Sequence, residues 1–217
     1  MVSTKRAAPP ARRRDEAKAL FRNAILDAGE LVFTERGFNG ARIQDIAARA
    51  GIGVGTVYNH FRQKEDVLCA LVDERTDALL AQLDPPPDGD TGDFAARLTA
   101  RLERMFRYVE SHRGFFFLAI SCGLMGTANS ETSRALGAKG RRRIGRFPAA
   151  LKTLVEEGIS AGDLKDIDAD HLAAFLAGTI RAFTLGALVM DENARLAPQV
   201  PVVVRLFLHG AARRKRK

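Results

Sequence analysis

The chain has 217 residues, 46% of them hydrophobic and 28% charged, with two cysteines and a net charge of +8. That composition excludes a disulfide-stapled scaffold and a low-complexity chain, and suits a soluble globular protein of one or two domains. No apolar run reaches the roughly 18 to 20 residues of a membrane span; the longest candidates, Gly114 to Met125 and Ile180 to Met190, are too short.

Residues 1–14 form a Pro/Ala/Arg-rich arm that buries too little apolar surface to order itself. It reads either as a solubilising tail or as a basic arm adding phosphate or minor-groove contacts through Lys5, Arg6, Arg12, Arg13 and Arg14. The arm has no apolar segment of a secretory signal, so a cytoplasmic protein is expected. A first helix is predicted from Asp15 to Arg36, with Phe21, Ile25, Ala28 and Val32 along one face, and Gly37 stops it.

In the next segment, ARIQDIAARAGIGVGTVYNHFRQK (41–64), Ile43, Ile46, Ala47 and Ala50 fall at i, i+3, i+4 and i+7, which predicts a two-turn amphipathic helix with Gln44, Asp45 and Arg49 facing elsewhere. Gly51 ends it, because a tight helix-to-helix turn needs the left-handed backbone that glycine adopts without penalty. Ile52 plugs the turn. From Gly53 a second helix is predicted, burying Val57 and Phe61 and exposing Thr56, Tyr58, Asn59 and His60. Two short helices with polar groups on the second are the pattern of a helix-turn-helix, whose second helix lies in the DNA major groove.

Charge supports that reading. Residues 1–65 carry 12 basic against 7 acidic residues, residues 66–212 carry 17 against 19, and 213–217 are all basic. A basic N-terminal domain on a near-neutral body suits phosphate binding.

The run DIAARAGIGVGTVYNHFRQKEDVL resembles the DNA-binding signature of the TetR/AcrR family of bacterial transcriptional regulators, and ILDAGELVFTERGFNGARI resembles that family's first helix and its Gly-Phe exit. The resemblance covers about residues 15–70. It implies an all-α fold: a three-helix DNA-binding domain at 15–70, then a larger helical effector-binding and dimerisation domain at 71–212, flanked by the arm 1–14 and the basic tail 213–217. No enzymatic activity and no cofactor are expected, on the absence of catalytic and metal-ligand motifs given below. The implied partners are a double-stranded DNA operator, a second copy of the chain and a small-molecule effector, without a membrane.

Within the second helix, Thr56 offers a hydroxyl to phosphate or its methyl to thymine, and Asn59 suits adenine N6/N7. Tyr58 and His60 match family positions that meet backbone phosphates. Lys64 matches the basic residue at the start of the following helix, where ammonium and helix dipole together attract a phosphate. Gly53 and Gly55 permit close approach to the duplex. Gln44 and Arg42 complete the expected DNA-facing set, but Arg42 stands where the family often has a hydroxyl residue, and Gly53-Val54 replaces its commoner Ser followed by a basic residue. These departures shift specificity towards Asn59 and DNA shape.

A fourth helix is predicted from about Gln63, carrying Val67, Leu68, Leu71, Val72, Leu79 and Leu83. DPPPDGDTGD (84–93) is a linker, since three prolines block helix. Helices are then predicted at roughly 93–111, 114–125, 130–158, 168–190 and 198–212; the last is β-branched at Val200–Leu208 but keeps helical spacing at Val203, Phe207 and Gly210. The run His171–Met190 is small and apolar on more than one face, as core packing or a subunit interface requires.

An effector pocket is expected among Met105, Phe106, Phe117, Leu118, Cys122, Met125, Phe147, Phe175 and Phe183, unless these are plain core. Arg181 is its candidate cation, the alternatives being a snorkelling or carboxylate-paired arginine. KGRRRIGR (139–146) reads as a solvated or partner-facing helix face, and Cys69 and Cys122 as reduced core residues rather than a redox pair. GIGVG (51–55) follows a helix, not the strand a dinucleotide fingerprint requires, and no HxxxH, CxxC or GxSxG is present. Two functions remain: a homodimeric, ligand-released repressor of a palindromic operator, or a helical ligand-binding or scaffold protein without specific operator binding.

Overall fold

The computed structural model describes residues 10–85, 89, 91–122, 146–190 and 194–211. Every regular element among the described residues is helical: α1 (Pro10–Gly40), α2 (Ile43–Ala50), α3 (Val54–Tyr58), α4 (Lys64–Ala81), α5 (Phe94–Ser111), α6 (Arg113–Ser121), α7 (Arg146–Ser160), α8 (Ala169–Leu185) and α9 (Val200–Ala211). A π-helical turn, Gly186–Met190, continues α8, and a short 3-10 turn, Ala197–Gln199, leads into α9. The chain divides into two compact units, residues 1–71 and 72–217, with the division inside α4.

In the first unit, α1 begins at Pro10, five residues before the sequence suggested, so residues 10–14 of the expected disordered arm are helical. Proline is well suited to a first helical position, where its missing N–H has no intrahelical acceptor to lose. Near the other end Gly37 (φ 68°, ψ 164°) breaks the helix into a kink and a final turn. Ile25, Leu26, Phe33, Ile46, Leu68 and Leu71 are fully buried here, each worth about 1.5–3 kcal/mol of apolar burial. Gly29 lets α1 and α4 approach closely: a Cβ there would stand 2.8 Å from Val67.

In the second unit, α5 buries Phe94, Leu98, Leu102, Met105, Phe106 and Val109 on one stripe, and Asp93 caps its start by accepting the Ala96 N–H at 2.9 Å. Arg101 is also buried on that stripe, and its guanidinium reaches Glu157 of α7 at 3.2 Å. α7 packs on α8, and α9 packs on α5 and α8. Gly158 has its hydrogen against Phe94 and Leu164, where a Cβ would stand 2.7–2.8 Å from each. α8 is capped by Asp168, whose carboxylate accepts the N–H groups of Asp170 and His171 at 2.8 and 3.2 Å. Those two bonds hold the Asp168 carboxyl below its ordinary range.

The helical stretch Ala169–Val189 is long and apolar enough, by length and composition, to cross a membrane, contrary to the expectation that no run of that length occurs. The sequence reading took only Ile180 to Met190, whereas the helix carries its apolar residues back to Leu172. Only 39% of its most apolar window is buried within the chain. Both cysteines are reduced, Cys122 buried and Cys69 half-buried.

Candidate nucleic-acid interface

The geometry of α2 and α3 follows from their termini. At the start of α2, the Asp45 carboxylate accepts the Arg42 N–H at 3.1 Å, tightening the first turn. At its end Gly51 is left-handed (φ 66°, ψ 29°), and the N–H groups of Gly51 and Ile52 bond to the carbonyls of Ala48 and Ala47 at 3.2 and 3.1 Å. This is a Schellman closure, which turns the chain sharply with its last carbonyls satisfied. After Gly53, α3 is a helix of five residues, and Val57 and Phe61 anchor it to the core.

That anchoring leaves the other face open. Arg42, Gln44, Gly53, Gly55 and Asn59 are exposed, Tyr58 is half accessible, and Val54, Thr56 and His60 are half-buried. A Cβ on Gly55 would meet no atom within 4 Å, and Gly53 has an ordinary negative φ, so neither glycine is required by the backbone. What they supply is a low surface. Arg62, exposed between α3 and α4, was not singled out by the sequence reading, although a basic residue beside the second helix was signal enough.

Lys64 is engaged within the domain itself. Its ammonium donates to the carbonyl oxygens of Phe38, Asn39 and Ala41 at 2.8, 3.2 and 3.1 Å, and lies 4.7 Å from the centre of the Phe38 ring. Its three N–H donors thus meet three backbone acceptors.

The expected effector residues are not gathered into one cavity among the described residues. Met105, Phe106, Leu118 and Cys122 are core, Phe147 is half-buried, and Met125 lies outside the described residues. Phe115 and Phe116 are buried while Phe117 is 48% exposed, and Phe175 is exposed and stacked on Phe207. Of the expected set only Phe183 lines the 330 Å³ depression formed with Ala182, Gly186, Ala187, Ala194, Arg195 and Gln199. Arg181, half-buried, is not among its walls. The segment bordering it is fixed from behind: Arg113 donates to the carbonyls of Ala187 and Ala194, and Glu110 accepts the N–H groups of Leu196 and Ala197. No local sequence pattern announces those contacts, which span 74 to 87 residues.

Residues 25–71 match the family described as bacterial regulatory proteins, tetR family. Over 190 residues the chain is 25% identical to the fatty acid metabolism regulator protein of Bacillus subtilis, covering 86% of this chain and 93% of that one. Its fold is similar to the crystal structure of the transcriptional regulator FadR from Bacillus subtilis in complex with stearoyl-CoA, with a TM-score of 0.73 and 22% identity over 86% of this chain and 97% of that one. It is also similar to the SmeT–triclosan complex, with a TM-score of 0.72 and 24% identity over 89% of this chain and 92% of that one; SmeT is the repressor of a Stenotrophomonas maltophilia efflux pump. Residues 25–71 thus match the DNA-binding domain of the tetR family of bacterial regulatory proteins, and the fold of solved regulators carrying that domain extends through most of this chain.

Proposed function

We propose that the protein is a homodimeric repressor that grips a palindromic operator through α3 and releases it when a small molecule occupies the C-terminal helices. The observation that carries the DNA reading is the division of α3: Val57 and Phe61 are buried, while Tyr58, Asn59 and the low surface at Gly53 and Gly55 face outward. Arg42, Tyr58 and His60 meet backbone phosphates in this reading, and Gln44, Val54 and Thr56 stand beside Asn59, the base reader.

The dimer reading rests on α8 and α9. Ala174, Gly178 and Ala182 are exposed at i, i+4 and i+8, flanked by exposed Phe175, Val189 and Leu206. Small residues on such a strip let a second helix approach closely, and the apolar area explains why a helix of this hydropathy sits in a regulator. A two-fold axis then sets two copies of α3 a whole number of DNA turns apart. Replacing Gly178 with Arg is expected to give a monomer in light scattering and to abolish operator binding.

For the effector, the stearoyl-CoA held by the Bacillus FadR structure supports a long-chain acyl thioester, and the triclosan held by SmeT supports a compact apolar molecule. The acyl thioester is favoured, because the relative matched over most of its length is a fatty acid metabolism regulator. Release follows if the ligand binds more tightly to the subunit geometry whose recognition helices mismatch the operator. Fluorescence anisotropy of a labelled operator duplex, titrated with stearoyl-CoA and separately with triclosan, tests this. Loss of bound duplex supports a repressor, whereas tighter binding would mark a ligand-dependent activator.

A further inference from the structure

We propose that Lys64 is a positioning residue of the DNA-binding domain: its ammonium locks the turn at residues 38–41 onto the start of α4, and thereby sets the presentation of α2 and α3, without contacting a phosphate. The effect on DNA rests on the operator reading above; the lock itself does not.

Three observations converge. The left-handed kink at Gly37 separates residues 38–40 from the body of α1, leaving carbonyls at a helix end that have no intrahelical partner. Those carbonyls, with that of Ala41, point at one ammonium, which takes all three within 2.8–3.2 Å. Phe38 and Ala41 are themselves buried, and the Phe38 ring closes one side of the ammonium, so the clamp joins two core residues to the chain that enters α2 at Ile43. A positive charge is favoured at this place because the terminal carbonyls of a helix carry its negative partial charge. An arginine would fail there: a planar guanidinium fork cannot direct three donors at oxygens that surround a single point.

The clamp predicts behaviour opposite to that of a phosphate contact. With the full chain and a duplex carrying its selected operator, Lys64→Met is expected to weaken binding at least about tenfold while leaving the slope of log affinity against log salt at the unaltered value. Arg42→Ala, as the comparator, is expected to reduce that slope by about 1.8, the signature of one lost phosphate contact in each protomer of the dimer. Lys64→Arg keeps the charge and is expected to weaken binding as well. A slope reduced by about 1.8 in Lys64→Met with unchanged melting temperature, or full affinity in Lys64→Arg, would overturn the proposal. In the DNA-free chain, nitrogen-15 spectra of the lysine ammonium groups are expected to show the Lys64 protons protected from exchange and unmoved when the duplex is added. An unprotected Lys64 signal, or one that shifts onto a phosphate, would overturn it too. Absence of any sequence-specific binding by the unaltered chain would count against the operator reading, and the DNA-free spectrum would still decide the clamp.

Discussion

Arg36 and Asp45 form an ion pair, Nη1 to Oδ1 at 2.7 Å, that joins the last part of α1 to the first turn of α2. The second oxygen of the same carboxylate accepts the Arg42 N–H, so Asp45 holds both the neighbouring helix and its own helix start. Arg36 is more than half exposed and Asp45 only 22% exposed, so the carboxylate matters more than its partner. Asp45→Ala is expected to destabilise the chain by about 1–2 kcal/mol, the sum of a lost N-terminal cap and a modest ion pair, and Arg36→Ala by less than about 1 kcal/mol. Urea denaturation of the two variants checks the order.

Asn59 is exposed on α3 and has the donor and acceptor pair that adenine's major-groove edge requires. Asn59→Ala should relax preference at one base pair per half-site by roughly 1–3 kcal/mol, leaving the rest of the operator profile unchanged. Tyr58→Phe should weaken binding evenly across sequences. Selection profiles for both variants distinguish a base reader from a phosphate contact.

Gly55 separates the needs of fold and function. A methyl there meets no protein atom within 4 Å, and alanine is better in a helix than glycine by roughly 0.5–1 kcal/mol. Gly55→Ala is therefore expected to raise the melting temperature by roughly 1–4 °C while weakening DNA binding, because the added methyl stands between α3 and the duplex. Unchanged affinity would mean that this surface does not face DNA.

The helix-turn-helix was legible because its determinants are local. The spacing of Ile43, Ile46 and Ala47 marks α2 and places them in the core, and Gly51 takes the left-handed backbone that ends it. The contacts of Lys64 were not legible for the opposite reason: its acceptors lie 23 to 26 residues earlier in the chain, and no periodicity connects them. The same holds for the effector region, where the exposure of Phe117 and Phe175 depends on which helices fold back on α6 and α8. Helix spacing showed that Phe115, Phe116 and Phe117 could not share one direction, but not that Phe117 is the one turned outward.

Acid should reveal the cap of α8. The Asp168 carboxyl is held below its ordinary value by the N–H groups of His171 and Asp170, so the folded state favours its ionised form. Its contribution is therefore complete above the unfolded-state value near 3.8 and is lost as the pH falls through the lower folded-state value. Asp168→Ala is expected to lower the melting temperature at pH 7, with the difference from the unaltered chain shrinking towards the acid limit. Thermal melts of both proteins from pH 7 down to the lowest pH at which they remain folded check the sign.

The most direct test of the operator reading is selection of randomised duplexes by the purified chain at about physiological salt, where sequence-independent attraction is weakened and specific contacts survive. An enriched inverted repeat, its half-sites separated by a whole number of DNA turns, is the predicted result. A folded protein that enriches no sequence, and binds DNA only at low salt, would contradict it.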